Sequence, residues 1–156
     1  MGIDWGEWVV GQEREFVKPP VDKVQLVKYA GAAADFNLIH TDDETARRAG
    51  FPGVIVQGML VMGSLGQYLG ELVQGRGFVS RLQARFLGVV LPGVPIACRL
   101  KVTGTDREKG TVDFDLAAET EPGRPSLAGG ATITLFPGTP GDPRRGFSAS
   151  HKGERS

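Results

Sequence analysis

Beyond Gly75 the chain leaves helical spacing and alternates with a period of two. Leu82, Ala84 and Phe86 interleave with Arg81, Gln83 and Arg85. Ile96, Cys98, Leu100 and Val102 interleave with Ala97, Arg99 and Lys101, and Val112, Phe114 and Leu116 with Asp113, Asp115 and Ala117. Ala131, Ile133 and Leu135 close the series, and Leu91-Pro92-Gly93 and Glu108-Lys109-Gly110 punctuate it as turns. Strand side chains point alternately to two faces, so this pattern predicts an antiparallel sheet with one apolar face. That face has to be covered. The segment from about Gln57 to Leu72 is the one apolar enough to do so, as a long helix. Its Gly58, Gly63, Gly66 and Gly70 allow a neighbour to approach closely. The expected fold class is therefore α+β, a sheet wrapped on one central helix.

The first third of the chain is less regular. Val9 to Val17 reads as a first strand, stopped by Pro19-Pro20. Asp22 followed by Gln25 marks the start of a helix running to about Ala34. Thr41 with Glu44 predicts a second capping box, and Gly50 a C′ residue, for a short helix Asp42–Ala49. Within it Asp43 is expected to face Arg47, and Glu44 to face Arg48. Residues 1–136 are expected to form a single domain. From Pro137 onward Pro, Gly, Ser and Arg leave little to bury, so 137–156 reads as a flexible tail. No internal repeat is visible.

At 156 residues the chain is long enough for one domain with a real core. Lysine plus arginine and aspartate plus glutamate balance at 18 each, so no broad field favours nucleic acid or acidic lipid. A single cysteine, Cys98, excludes a disulfide framework and a cysteine-based zinc site, and suits a cytoplasmic location. Met1 to Gly11 carries Asp4 and Glu7 and lacks a basic, then apolar, leader, so no signal peptide is expected. Phe51 to Leu69 is uncharged and approaches the length of a membrane span, with Gly66 and Gly70 at GxxxG spacing. Pro52, Gln57, Ser64 and Gln67 within it and Glu71 beyond it argue for a helix covering a sheet instead.

The window Asp35-Phe36-Asn37-Leu38-Ile39-His40 sets a carboxylate, a carboxamide and one of the two histidines inside an uncharged run. Polar groups in apolar surroundings are costly unless paired or used. An Asp–His pair is suited to moving protons at neutral pH. Two plainer readings stand beside this one. Asp35 and Asn37 can form Asx turns that end a helix. His40 can simply bond a backbone carbonyl. The start of the long helix supplies a second component, because the first amides of a helix lack internal partners and carry positive potential. Gly58 removes the side chain where a substrate oxygen would approach, so its amide is a candidate oxyanion donor. The plainer reading is that Gly58 is small for packing.

Taken together, Tyr29-Ala30-Gly31, the Asp35 to His40 window, Asp42, Ala46, Gly50-Phe51, Ile55-Val56-Gln57-Gly58-Met59-Leu60 and the stretch Arg85-Phe86 through Leu91-Pro92-Gly93 resemble the MaoC-like hot-dog family, which includes the (R)-specific enoyl-CoA hydratases. The resemblance covers nearly everything up to Phe136. It implies reversible hydration of trans-2-enoyl thioesters, with Asp35 and His40 as catalytic dyad, Gly58 as oxyanion donor, and Asn37 and Gln57 in support. Asp35 would take a proton from water and His40 would handle the proton at the α carbon. It also implies an acyl-CoA or acyl-carrier-protein substrate, a homodimer, and neither metal nor other cofactor. A non-catalytic subunit of a heteromeric dehydratase and an acyl-CoA thioesterase are alternatives on the same fold. The chain departs from the family at Leu38, usually proline, at Gln57, often histidine, and at Gly66, where a serine can stand.

Overall fold

A computed structural model of the chain describes residues 8–139 together with 142 and 144. Strand β1 (Glu13–Lys18) is followed by helix α1 (Lys23–Ala33), a single 3-10 turn (Leu38–His40) and the short helix α2 (Asp43–Arg48). The long helix α3 (Gly58–Val73) then leads into four strands, β2 (Gly77–Phe86), β3 (Ile96–Asp106), β4 (Thr111–Glu121) and β5 (Arg124–Leu135). The strands form one antiparallel sheet in the order β1-β3-β4-β5-β2. This is the expected α+β, hot-dog arrangement.

The alternation places the core as predicted in β3, β4 and the end of β5, whereas in β2 Leu82 and Ala84 are only partly buried and Phe86, at the end of the strand, is exposed. Ile96, Cys98, Leu100 and Val102 of β3, Val112, Phe114 and Leu116 of β4, and Ala131, Ile133 and Leu135 of β5 are all buried. They pack with Val61, Leu65, Leu69, Leu72 and Val73 of α3 in one cluster. Burial also pushes the Cys98 thiol up to about 11, which leaves it inert. Helix α3 runs one residue further than the predicted Leu72. Among the described residues no helix is long and apolar enough to cross a membrane.

Several boundaries differ from the sequence reading. The first strand spans Glu13–Lys18 rather than Val9–Val17, because the chain turns at 9–12, where the Gln12 N–H donates to the Val9 carbonyl. Helix α2 is capped by Asp42, not Thr41: its carboxylate accepts from the Thr45 N–H at 2.6 Å, while Thr41 closes the preceding 3-10 turn. Glu44 does pair with Arg48, at 3.0 Å. Asp43 does not turn to Arg47 but reaches out of the helix to Lys23 and to the Val54 N–H. Strand β5 begins seven residues before Ala131. Pro125, Gly129 and Gly130 had hidden its first half, since glycine and proline erase the period-two signal.

Gly129 is required by this pairing. A Cβ there would lie 2.0 Å from the Gln83 carbonyl oxygen on the neighbouring β2. Gly129→Ala is expected to cost about 2–3 kcal/mol through forced strand displacement, read as a lowered midpoint in denaturant unfolding.

Most of the expected tail, and residues 1–7, lie outside the described residues. Where the tail is described it is tied to the sheet. Arg144 donates to the Leu135 carbonyl at 2.8 Å and the Lys109 carbonyl at 3.1 Å, and pairs with the buried Asp142 at 2.7 Å.

Candidate active site

The site is assembled from the loop after α1 and the extended segment that enters α3. Helix α1 ends at Ala34 in the left-handed conformation (φ 52°), which swings Asp35 off the helix axis, and its amide still bonds back to the Ala30 carbonyl at 3.0 Å. Asp35 Oδ1 then accepts from the Asn37 N–H at 3.4 Å, and Asn37 Oδ1 accepts from the Ile39 N–H at 3.3 Å. These are the two Asx turns that sequence alone offered as a plainer reading. They cap the 3-10 turn whose last residue is His40. The turns that end the helix therefore also set the positions of Asp35 and His40.

His40 is buried, 8% exposed, and its Nδ1 lies 2.8 Å from the Ile55 carbonyl oxygen. A carbonyl only accepts, so Nδ1 carries a proton and the neutral ring's lone pair is on Nε2. Nε2 faces Asp35 Oδ2 at 3.7 Å. That gap is too long for a direct hydrogen bond and short enough for both atoms to bond one small molecule. Asp35 keeps 40% of its side chain exposed, so the pair opens to solvent on the carboxylate side.

The Ile55 N–H donates to the Ile39 carbonyl at 3.1 Å, so the dyad loop and the 54–57 segment are held by two bonds side by side. The Val56 N–H donates to the Val90 carbonyl at 2.8 Å. Three residues after Ile55 comes Gly58, within about 10 Å along extended backbone. It is the first residue of α3, and its N–H has no acceptor among the described residues. A Cβ at this position would lie 2.9 Å from two carbons of the Phe86 ring. Position 58 is thus glycine for packing under Phe86. Gln57 is 1% exposed, its Nε2 donating to the Leu26 carbonyl at 3.0 Å, while its Oε1 is buried without a partner. It ties the start of α3 to α1 and lies behind the surface.

Apolar side chains left exposed cluster along the same segments: Phe36 and Leu38 beside the dyad, Met59 beside Gly58, and Phe86, which is 53% exposed. Two arginines of the outer sheet face are engaged with neighbours, Arg81 with Gln83 at 2.7 Å and Arg99 with Glu15 at 2.8 Å and Glu119 at 3.5 Å. Among the described residues no group of three or more His, Cys, Asp or Glu side chains is placed to hold a metal.

Sequence reasoning missed Asp43 as a component of this region. Its Oδ1 accepts from the Val54 N–H at 2.9 Å and its Oδ2 contacts the Lys23 ammonium. The Lys23 hydrogen bond first, and the Val54 N–H second, hold its carboxyl below the usual aspartate range. The missing signal was tertiary: an i,i+4 arginine was available in sequence, and only the fold shows a lysine and a free amide closer.

A five-stranded antiparallel sheet packed on a central helix, with Asp35 and His40 on a loop bonded to the segment that enters that helix, defines a hot-dog protein. The MaoC-like domain model matches residues 7–121, and the chain belongs to this MaoC-like family. It is 26% identical over 127 residues to the (R)-specific enoyl-CoA hydratase of Aeromonas caviae, covering 81% of this chain and 94% of that protein. It is 29% identical over 109 residues to the fatty acid synthase beta subunit TOXC of Cochliobolus carbonum, covering 68% of this chain but only 5% of that much longer protein. The unliganded R-hydratase structure from Pseudomonas aeruginosa superposes with a TM-score of 0.77 at 22% identity, covering 85% of each chain, a likeness of fold.

Proposed function

We propose that this protein catalyses reversible hydration of trans-2-enoyl thioesters to (R)-3-hydroxyacyl thioesters, and thus acts as a hydro-lyase. The observation that carries this reading is the locked ring of His40. With Nδ1 fixed on the Ile55 carbonyl, Nε2 is the position that gains and loses a proton, and it lies 3.7 Å from Asp35 Oδ2, close enough for both atoms to hold one water at the side of the pair. A thioester oxygen bonded to the Gly58 N–H would become more negative as the β carbon is attacked, which is where a preorganised amide helps most.

In the hydration direction the dyad takes one proton from water and returns one to the α carbon. The cycle starts with Asp35 as the carboxylate and His40 carrying a proton on both ring nitrogens. Asp35 takes the proton of the water whose oxygen bonds the β carbon, and Nε2–H gives its proton to the α carbon, leaving the neutral Nδ1–H ring. Transfer from Asp35 to Nε2 through the next water restores the starting state, so the dyad's proton count is unchanged over a turnover. The exposed Phe36, Leu38, Met59 and Phe86 supply apolar surface suited to an acyl chain. A homodimer in which a second copy completes the cleft fits the bare edge of β2, which ends in Phe86. A buried, unpaired Cys98 is compatible with a cytoplasmic setting.

The test is incubation with crotonyl-CoA, following loss of the enoyl absorbance, with chiral analysis of the product and a panel of longer enoyl-CoA and carrier-protein thioesters. Turnover giving the (R)-alcohol is the expected result. Absence of turnover across the panel would overturn the reading, and release of free thiol instead would point to thioester hydrolysis.

A further inference from the structure

The lock on His40 depends on where the Ile55 carbonyl stands: the Val56 N–H on Val90 and the Ile55 N–H on Ile39 hold the two peptides of Ile55, and Asp43 holds the peptide before them. Gly53 begins that peptide in a bend, where a Cβ would lie 3.0 Å from Asp43 Oδ1, so the segment is pressed close against α2. Asp43 Oδ1 accepts from the Val54 N–H at 2.9 Å, one residue before the carbonyl that holds His40. Asp43 Oδ2 is in turn gripped by Lys23, from the first turn of α1. The same α1 ends at Ala34, directly before Asp35. Lys23 and Asp43 therefore join the helix that carries one half of the dyad to the segment that orients the other half.

We propose that Asp43, steadied by Lys23, is a positioning residue for the dyad: it holds the Gly53–Val54 peptide, and so the course of the segment whose Ile55 carbonyl sets the tautomer and orientation of His40. The proposal deepens the hydratase reading and rests on it for its kinetic consequence. Asp43 touches neither His40 nor the reacting atoms. It works as outer hydrogen-bond partners of catalytic histidines do, by removing alternatives for the group that contacts the ring. A charged acceptor makes the stronger bond to an amide. The helix N-terminus of α2, where Asp43 is the first residue, also favours a carboxylate there.

Two readouts on the full chain test this, and one needs no substrate. Nitrogen-15 spectra of the imidazole at about pH 9, above the ordinary histidine range, report which ring nitrogen carries the proton. With the His151 signals assigned by comparison with a His151→Gln chain, His40 of the wild type should show the Nδ1–H form alone. Asp43→Ala should show a mixture of both forms, and its kcat on crotonyl-CoA should fall about tenfold with KM within about twofold. Asp43→Asn, whose Oδ1 can still accept from Val54, should keep the wild-type spectrum and lie within about threefold of wild-type kcat. An Asp43→Ala protein with the wild-type tautomer overturns the proposal, even if its melting temperature drops, because stability alone would then account for Asp43. If the alanine variant does not fold, Lys23→Met takes its place. It should speed hydrogen exchange at the Val54 N–H and give partial tautomer mixing, and unchanged exchange with an unchanged spectrum overturns the proposal. Wild-type protein that hydrates no enoyl thioester defeats the hydratase reading alone, since the spectra still decide what Asp43 does to His40.

Discussion

Replacing Asp35 by asparagine is expected to lower kcat for crotonyl-CoA hydration by roughly a thousandfold while leaving the fold intact, the middle of the range for loss of a general acid–base group. The substitution is conservative in structure. Asparagine Oδ1 can still accept from the Asn37 N–H, so the turn that ends α1 survives. The side chain is 40% exposed, so no buried space is altered. What disappears is the ability to accept a proton from water.

His40→Ala should reach the same floor by a different route, and with a structural cost. It leaves the Ile55 carbonyl without its donor in a buried place, worth about 1–3 kcal/mol. Asp35→Asn is therefore the cleaner chemical test and His40→Ala the cleaner test of coupling. If the two residues act on one water, the double variant should be no slower than either single variant, as expected for groups that work as a unit. Wild-type rates in Asp35→Asn, measured beside melting curves, would remove the dyad from the reaction.

The second large effect is expected at Gly58, and the obvious substitution is a poor test of it. Gly58→Ala keeps the N–H but places a Cβ 2.9 Å from the Phe86 ring, so any loss mixes sterics with chemistry. Proline separates the two. At the first position of a helix the N–H is unbonded within the helix and proline is well tolerated. Its neighbour Gln57 already has the extended conformation (φ −57°, ψ 130°) that precedes proline comfortably. Made in a Phe86→Ala background, which vacates the space above position 58, Gly58→Pro should remove the amide donor and lower kcat a further hundredfold or so, the usual worth of one oxyanion donor. The melting temperature should change little between Phe86→Ala and the double variant. An unchanged kcat between those two would show that the Gly58 N–H does not hold the developing charge, and would return the glycine to a packing role alone.

How much of this was legible in the sequence differs by element, for physical reasons. The strands β3 and β4 and the helix α3 were readable because one face of each is buried and the other solvated, which writes a period directly into residue type. The first half of β5 was not, because Gly129 and Gly130 contribute pairing without side chains, and the constraint on Gly129 comes from a strand more than forty residues away. The cap of α2 was misread by one residue because Thr41, Asp42 and Glu44 offer overlapping capping signals, and the 3-10 turn that settles the choice is set by Asn37. Asp43 was assigned a helical partner because local spacing is all a sequence displays. Lys23 lies twenty residues away in the chain.

At the site, residue types pointed to Asp35, Asn37, His40 and Gly58 with plainer readings beside them, since polar groups in an apolar setting are costly unless paired or used, and the family resemblance added Gln57 and the catalytic roles. The tertiary structure decided the rest. It placed the Ile55 carbonyl on Nδ1 and so chose which nitrogen can exchange a proton. It set Asp35 and His40 3.7 Å apart, laid Phe86 over Gly58, and joined Lys23 of α1 to Asp43 of α2, which holds the Val54 N–H. Sequence determines which groups are present and which faces are buried, because hydrophobic burial acts on residue type. Proton position and donor direction depend on atoms that meet only when distant segments pack, and no spacing along the chain encodes them.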